Sequence, residues 1–265
     1  MPGMQAASQH PSHGFLRVAL LLSVLVSGAC GLVASTWSTF GHTWDEPEHL
    51  AAGLQLVDTG HYDYDIQHPP IARALLAIGP YLAGARSQGL PPPDGKPEGV
   101  EILYGEGHYE LYLTLARAGT LPFLALLLVV TYALARVWLS PPESLVAAAL
   151  LAATPTVLGH AGLATLDVAA AATCLLALYA LRQWLWQGRW WQAIAMGLAA
   201  GLALGTKMSS IPYGGIAASV LIASHLLDCR HRVVQGEPVG RFQWVGGGVL
   251  ALLMAGAVLT YAYGG

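Results

Sequence analysis

Charged side chains are scarce in this sequence. They make up 10% of its 265 residues, against about 25% in soluble domains. Hydrophobic residues reach 55%, and the mean hydropathy is +0.53. These values exclude an ordinary soluble domain and predict an all-α integral membrane protein embedded in a lipid bilayer. The net charge of −3 gives no positive field that would attract nucleic acid, so we expect no nucleic-acid partner.

Cysteine is also rare. The three cysteines, Cys30, Cys174 and Cys229, lie far apart and form no CxxC pair. Their spacing excludes a disulfide framework and a cysteine metal site, and we expect buried structural thiols.

Long apolar segments, by contrast, are abundant. A helix that crosses a bilayer needs about 20 mostly apolar residues. The sequence predicts about seven such spans, at 15–37, 118–138, 144–162, 164–182, 191–206, 210–227 and 243–263. The first is interpreted as an uncleaved signal anchor, because its apolar run continues past the small residues around Cys30 to Trp37.

The distribution of arginine predicts the orientation. With the N-terminus in the cytoplasm, the positive-inside rule is obeyed by Arg17, Arg136, Arg182, Arg189, Arg230, Arg232 and Arg241. The long loop 38–117 then lies on the extracytoplasmic side and carries eleven of the chain's fifteen acids. We expect the inner (plasma) membrane of a bacterium, with this loop as the working part of the molecule.

Two short amphipathic helices are predicted in the loop. Pro47 suits a first helical turn, and Gly60 suits a helix end; between them Leu50, Leu54 and Val57 share one face. A second helix begins at Pro70, with a shared face formed by Ile71, Leu75, Ile78, Gly79 and Leu82. We expect both helices to lie in the membrane interface.

Several ionisable residues fall on the same predicted side as the loop. Asp45 and Glu46 stand at the entrance to the first helix, and His160, Asp167 and Lys207 map to extracytoplasmic ends of spans. Ionisable groups at membrane depth are costly, which makes them candidates for function. Simpler roles stay open for the last three: a backbone hydrogen bond for His160, a helix cap for Asp167 and snorkelling for Lys207. Arg73 and Arg117 are either anion ligands or boundary charges.

Four features in this order resemble the GT-C membrane glycosyltransferases. They are the acidic pair Asp45-Glu46 after the first span and the stretches LVDTGHYDYDIQHPPIAR, GHAGLATLDVAAAA and GLALGTKMSS. The similarity is greatest to the family of protein O-mannosyltransferases and the lipid A aminoarabinose transferase. It extends from about Phe15 to the last residue.

The resemblance implies a hexosyl- or pentosyltransferase that works on the extracytoplasmic side. Such enzymes move a sugar, with inversion, from a polyprenyl-phosphate donor to a lipid, glycan or protein acceptor. It also implies that Asp45 is the general base with Glu46 beside it, and that Asp167 orients donor or acceptor. Lys207 and His68 then lie near the donor phosphate, with His160 close by.

The residue types fit this chemistry independently of the family resemblance. The acceptor must lose a proton, and a partly desolvated carboxylate has a pKa suited to accepting it. The leaving group is already a phosphate, so it needs a cation, which Lys207 or Arg73 supplies. A divalent cation stays open as a cofactor, although no recognised metal signature is formed by Asp45, Glu46, Asp167 and His160.

Full-length members of this family continue beyond the seventh span, often into a soluble domain. We therefore interpret residues 1–265 as a single GT-C-like N-terminal module, a minimal enzyme, or a split subunit that needs a partner subunit. Three other functions stay open: a transporter or lipid flippase, a non-catalytic subunit, and a phosphatase acting on lipid phosphates. Against the transporter, no internal repeat is evident, and the charges gather on one side.

Overall fold

A computed structural model describes residues 12–91, 95–105 and 107–235. Within these ranges the chain forms α-helices and no strand, so the all-α prediction is confirmed there. The helices are α1 Ser12–Ala34, α2 Glu46–Thr59, α3 Pro70–Leu82, α4 Lys96–Tyr104, α5 Tyr109–Ala118, α6 Leu121–Ala135, α7 Pro141–Ala152, α8 Pro155–Ala161, α9 Asp167–Gln187, α10 Trp190–Leu204 and α11 Ser210–Val234.

Four helical stretches are long and apolar enough to cross a membrane. They are Gly14–Ala34, Tyr109–Ala135 (α5 with α6), Asp167–Gln187 and Ser210–Val234. The pair α7 and α8 makes a fifth if it is counted as one span, bent by 64°. The described residues therefore give four or five candidate spans, where the sequence predicted seven over the whole chain.

The difference has two local causes. α10 has 15 residues, which is about 22 Å of helix and too short for a hydrocarbon core of about 30 Å. The predicted span 144–162 is interrupted at Thr154, whose backbone is extended (φ −71°, ψ 120°) before Pro155. Proline disfavours a helical conformation in the residue before it, so the helix breaks there. The predicted span 243–263 lies outside the described residues.

α9 is central to the span bundle, where it packs against α6, α10 and α11, and α1 packs against α6, α7 and α8. The helices between α1 and α6, here called the α2–α5 unit, pack against one another and share a core with α1, α6 and α9. In this unit α2 packs against α3 and α4, and α3 packs against α5.

The predicted ends of α2 and α3 are confirmed. α2 has Pro47 in its first turn and ends at Gly60, which adopts φ 75°, a left-handed conformation that glycine accepts without strain. α3 begins at Pro70.

The burial of α2 differs from the prediction. Leu50 and Leu54 are buried as expected, but so are Ala51 and Ala52. At Gly53 a Cβ atom would overlap the backbone of Arg73, so the glycine permits α3 to approach closely. α2 is thus enclosed by its neighbours and is not an amphipathic helix with one wet face.

α3 presents a different surface. Its buried side includes Arg73, Leu76 and Ala77, whereas Ile78 and Leu82 are exposed. An exposed apolar face is typical of a helix that lies in the membrane interface, and for α3 that location stays a prediction.

Candidate active site

Asp45 and Glu46 are neighbours in sequence but have opposite surroundings. Asp45 is the N-cap residue of α2; its side chain is exposed and makes no cap hydrogen bond. The Glu46 side chain is only 1% exposed. Asp45 is therefore accessible to a substrate, whereas Glu46 points into the protein.

Glu46 forms a buried ion pair with Arg117. Nε of Arg117 lies 2.8 Å from Oε1, and Nη2 lies 3.0 Å from Oε2. The backbone amides of Thr43 and Ala164 donate to the same carboxylate, at 2.6 and 2.8 Å. Burial by itself raises the pKa of Glu46, but these hydrogen bonds outweigh it and hold the pKa below its ordinary value. The carboxylate thereby ties the start of α2 to the turn before α9.

Arg117 is enclosed by hydrogen-bond acceptors. Its remaining N–H groups donate to the carbonyl oxygens of Trp37, Phe40 and Gly41, at 2.8–3.0 Å. All five guanidinium donors are used within the protein. Of the two expectations for Arg117, the geometry fits neither an anion ligand nor an exposed boundary charge.

Arg73 is likewise fully buried, with 0% exposure. Its Nε donates to Nδ1 of His49 at 3.1 Å, and Nη1 donates to the Tyr62 hydroxyl and the Asp65 carbonyl oxygen, each at 2.9 Å. Nη2 forms an ion pair with the Asp65 carboxylate. A donor phosphate cannot reach this guanidinium without displacing these partners. The expectation of direct contact is therefore replaced by a supporting role.

His49 and His68 face each other between α2 and the start of α3. Their ring centroids are 5.7 Å apart, with the planes at 80°. Burial, helped by the charges of Arg73 and Lys207, lowers the pKa of His49 to about 2. The same causes lower the pKa of His68, whose Nδ1 is buried and has no hydrogen-bond partner among the described residues. Both imidazoles are therefore neutral at physiological pH.

Asp167, Lys207 and His160 form a second charged group. Nζ of Lys207 lies 2.6 Å from one Asp167 oxygen, and Nδ1 of His160 lies 3.4 Å from the other. In contrast with Glu46 and Arg117, these side chains are 24% (Lys207), 44% (Asp167) and 46% (His160) exposed. The group is open to a ligand.

An apolar groove begins at the Asp167–Lys207 ion pair. It has a volume of about 400 Å³ and runs between α9 and α11. Its α9 wall extends from Asp167 to Leu178, about three helical turns, and its α11 wall includes Ser210 and Tyr213. A cation therefore stands at the end of a groove that follows α9, with the first turn of α11 as its other wall.

A backbone hydrogen bond joins the two charged regions. The amide of Ile71, at the start of α3, donates to the carbonyl oxygen of Gly205 at 3.1 Å. Gly205 permits this approach because a Cβ atom there would overlap the Ile71 side chain. Lys207 consequently lies near enough for its charge to act on His49 and His68, and the charge of Asp45 acts on His68.

Residues 115–261, more than half of the chain, match a family model described as dolichyl-phosphate-mannose-protein mannosyltransferase. The chain belongs to this family. The predicted resemblance to GT-C glycosyltransferases is thereby confirmed. Membership implies a membrane glycosyltransferase that uses a polyprenyl-phosphate sugar donor. No curated protein matches the chain.

The matched part of this mannosyltransferase-family protein contains one half of the candidate site. His160, Asp167 and Lys207 lie within residues 115–261, whereas Asp45 and His68 precede them. The Ile71–Gly205 hydrogen bond and the hydrogen bond from Ala164 to Glu46 bring the two parts of the chain into contact. Their shared side of the membrane stays a prediction. Their roles in catalysis stay predictions.

A metal site receives no support from the described residues. Within them, no three histidine, cysteine, aspartate or glutamate side chains are grouped so as to hold an ion. Glu46 in particular is turned away from Asp45 and occupied by Arg117.

His49 is the site residue that sequence analysis missed. It lies four residues after Asp45, and its amide donates to the Asp45 carbonyl oxygen at 3.0 Å, so the two residues lie on one side of α2. The separation of four residues between Asp45 and His49 was the signal in the sequence that could have identified His49. The burial of His49 against Arg73 depends on a contact across 24 residues, which the local pattern does not contain.

Proposed function

We propose that this protein is an inverting glycosyltransferase that works on the extracytoplasmic side of a bacterial plasma membrane. Its donor is a polyprenyl-phosphate sugar, and its acceptor is a hydroxyl or amine of a lipid, glycan or protein. Family membership supports the donor class and the reaction type.

The observation that carries this proposal is the position of Lys207 at the end of the apolar groove. A polyprenyl phosphate has an anionic head and a long apolar tail. A cation at the end of an apolar groove that follows α9 for about three turns is complementary to both parts. The Lys207–Asp167 ion pair is partly exposed, and such pairs contribute only about 0–1 kcal/mol, so a phosphate can replace the carboxylate at little cost.

Asp45 is assigned the general base. It is exposed, and its charge acts on His68. In the proposed step the acceptor oxygen or nitrogen attacks the anomeric carbon of the sugar while its proton passes to the Asp45 carboxylate. The bond from that carbon to the phosphate oxygen breaks, and the electron pair leaves with polyprenyl phosphate. A single displacement of this kind inverts the anomeric centre.

The other predicted residues receive supporting roles. Asp167 orients Lys207, and His160 contacts Asp167. Glu46 holds the start of α2 through Arg117, and Arg73 holds His49 and Asp65. His68 lines the region between Asp45 and Lys207.

The test is transfer from a labelled donor. Protein in lipid nanodiscs is incubated with polyprenyl phosphates that carry radiolabelled hexoses or pentoses, together with membrane extract as the acceptor source. We expect label to leave the lipid in the wild type. In Asp45→Asn, transfer falls by about 10²–10⁴-fold, the usual contribution of a general base, with an unchanged melting temperature.

Asp63→Asn is the matched control, because Asp63 is an exposed acid of the same α2–α5 unit. It should transfer at the wild-type rate. Wild-type transfer by Asp45→Asn would remove Asp45 as the base, and no transfer by the wild type from any donor would contradict the proposed function.

A further inference from the structure

The proposed mechanism leaves His49 without a role. The side chain is 6% exposed, yet it lies beside His68 and within reach of the Lys207 charge. A buried imidazole needs the tautomer whose donor and acceptor nitrogens match the hydrogen-bonding groups around it. Its contacts define that state.

Arg73 fixes the tautomer of His49. A guanidinium Nε carries a hydrogen and can only donate, so Nδ1 of His49 must accept at 3.1 Å. A neutral imidazole that accepts at Nδ1 carries its proton on Nε2. A protonated ring would place a second N–H against the Arg73 donor, so this geometry excludes the imidazolium form.

The resulting donor is directed away from Arg73. Nδ1 and Nε2 occupy different edges of the ring, and in the described part of the chain the ring makes this one hydrogen bond. The ring meets His68 edge to face, and α3, which carries Arg73, is hydrogen-bonded through Ile71 to Gly205, two residues before Lys207. The neutral Nε2–H group of His49 and the ammonium group of Lys207 can therefore contact the same ligand.

We infer that His49, held as the Nε2–H tautomer by Arg73, donates a hydrogen bond to the phosphate of the polyprenyl-phosphate donor. This inference rests on the proposed function, because it assigns a further ligand at the same site. Arg73 is a positioning residue, since it acts only through His49. A neutral donor adds a directional contact to the phosphate without a further positive charge beside Lys207 and Arg73.

Two substitutions separate the two nitrogens of His49. The amide of asparagine stands where Nδ1 stands, so His49→Asn keeps an acceptor for Arg73 and loses the Nε2–H donor. The amide of glutamine reaches the position of Nε2, so His49→Gln keeps a donor and leaves the Arg73 Nε unsatisfied. His61→Asn, at an exposed histidine just beyond α2, is the matched control.

The experiment titrates each protein, in nanodiscs, with polyprenyl phosphate that carries no sugar. His49→Asn should bind about tenfold more weakly with a melting temperature near that of the wild type, because a hydrogen bond to a charged group is lost. His49→Gln should show the reverse: a lower melting temperature and an affinity within about threefold of the wild type. A purely structural role for His49 would change both quantities together in both variants.

The possible results separate a failure of this inference from a failure of the proposed function. If the wild type binds polyprenyl phosphate, Lys207→Met binds it more weakly, and His49→Asn binds it as the wild type does, then His49 is not a phosphate ligand and the proposed function stands. If the wild type does not bind, both fall.

Nitrogen-15 NMR of histidine-labelled wild type adds a test that needs no stable variant. We expect His49 as the Nε2–H tautomer, with its Nε2 resonance shifting on addition of polyprenyl phosphate. An Nδ1–H tautomer, or an Nε2 resonance unmoved by saturating ligand, would overturn the inference.

Discussion

The ion pairs Glu46–Arg117 and Asp167–Lys207 use the same chemistry in two different settings. Both side chains of the first pair are 1% exposed, whereas the second pair is 24% (Lys207) and 44% (Asp167) exposed. In the first, backbone amides and carbonyl groups occupy the hydrogen-bonding positions that the ion pair leaves free. In the second, an apolar groove begins at the pair. The first pair holds the backbone in place, and the second is accessible to a ligand.

The physical cost of breaking each pair follows from this difference. A charge that loses its partner inside a protein stays desolvated, and removing one member of a buried pair costs about 3–5 kcal/mol. A partly exposed charge is re-solvated by water, and such pairs are worth about 0–1 kcal/mol. The same carboxylate-to-amide substitution should therefore have different effects at Glu46 and Asp167.

The largest expected effect on stability is that of Glu46→Gln. The substitution leaves the Arg117 charge buried without a counter-charge, so the free energy of unfolding should fall by about 3–5 kcal/mol. Denaturant titration in mixed micelles measures it. Asp228→Asn, which breaks the exposed i,i+4 pair with Arg232, is the control and should change stability by less than about 0.5 kcal/mol. Equal effects of the two substitutions would contradict the assignment of Glu46 as a structural carboxylate.

A smaller effect is expected from acid, through the buried His49. Its pKa falls from 6.5 in the unfolded chain to about 2 in the folded protein. The unfolded state therefore takes up a proton first, and the stabilisation, complete above pH 6.5, is lost as the pH falls below that value. At pH 5 the loss is about 2 kcal/mol relative to pH 7.

Stability measured between pH 7 and pH 4.5 checks this expectation. The groups whose charge or ring acts on His49 are Arg73, His68, Lys207 and Lys96, and His68 contributes in the same direction because its pKa is also lowered. The pKa values of Glu46 and Glu98 are lowered from 4.5, so their contributions to the free energy of unfolding are lost only at more acidic pH. His49→Asn should make the profile above pH 4.5 shallower and leave the contribution of His68. An unchanged slope in that variant would refute the His49 contribution.

The smallest expected effect on stability is that of Asp167→Asn. The substitution should lower the free energy of unfolding by less than about 1 kcal/mol, because water re-solvates Lys207. The same titration used for Glu46→Gln provides the comparison. A loss as large as that of Glu46→Gln would show that the second pair is structural as well, and would remove the contrast between them.

The sequence predicted the local features of this fold well. Pro47, Gly60 and Pro70 mark the helix ends because their backbone preferences act within one turn. It also predicted that Asp167 and Lys207 lie on one side of the span bundle, which the structure supports with a direct contact. Family membership agrees with the resemblance carried by the last two motifs, which lie within the matched residues.

The partners of the buried charged side chains could not be predicted from the sequence alone. Glu46 contacts Arg117, which lies 71 residues later in the chain, and no local sequence pattern predicts such a long-range contact. The resemblance therefore placed Glu46 beside Asp45 in the catalytic pair, although the two side chains point to different environments. The described residues contain fewer candidate spans than were predicted there, because α10 is short and α7 and α8 bend apart.

The central claim is that Lys207 receives the phosphate of a polyprenyl phosphate at the end of the α9–α11 groove. Binding of polyprenyl phosphate and of the uncharged polyprenol of equal length, each to the wild type and to Lys207→Met in nanodiscs, tests it most directly. We expect the wild type to prefer the phosphate by about tenfold or more, and Lys207→Met to bind both lipids with similar affinity. An undiminished preference for the phosphate in Lys207→Met would contradict the claim.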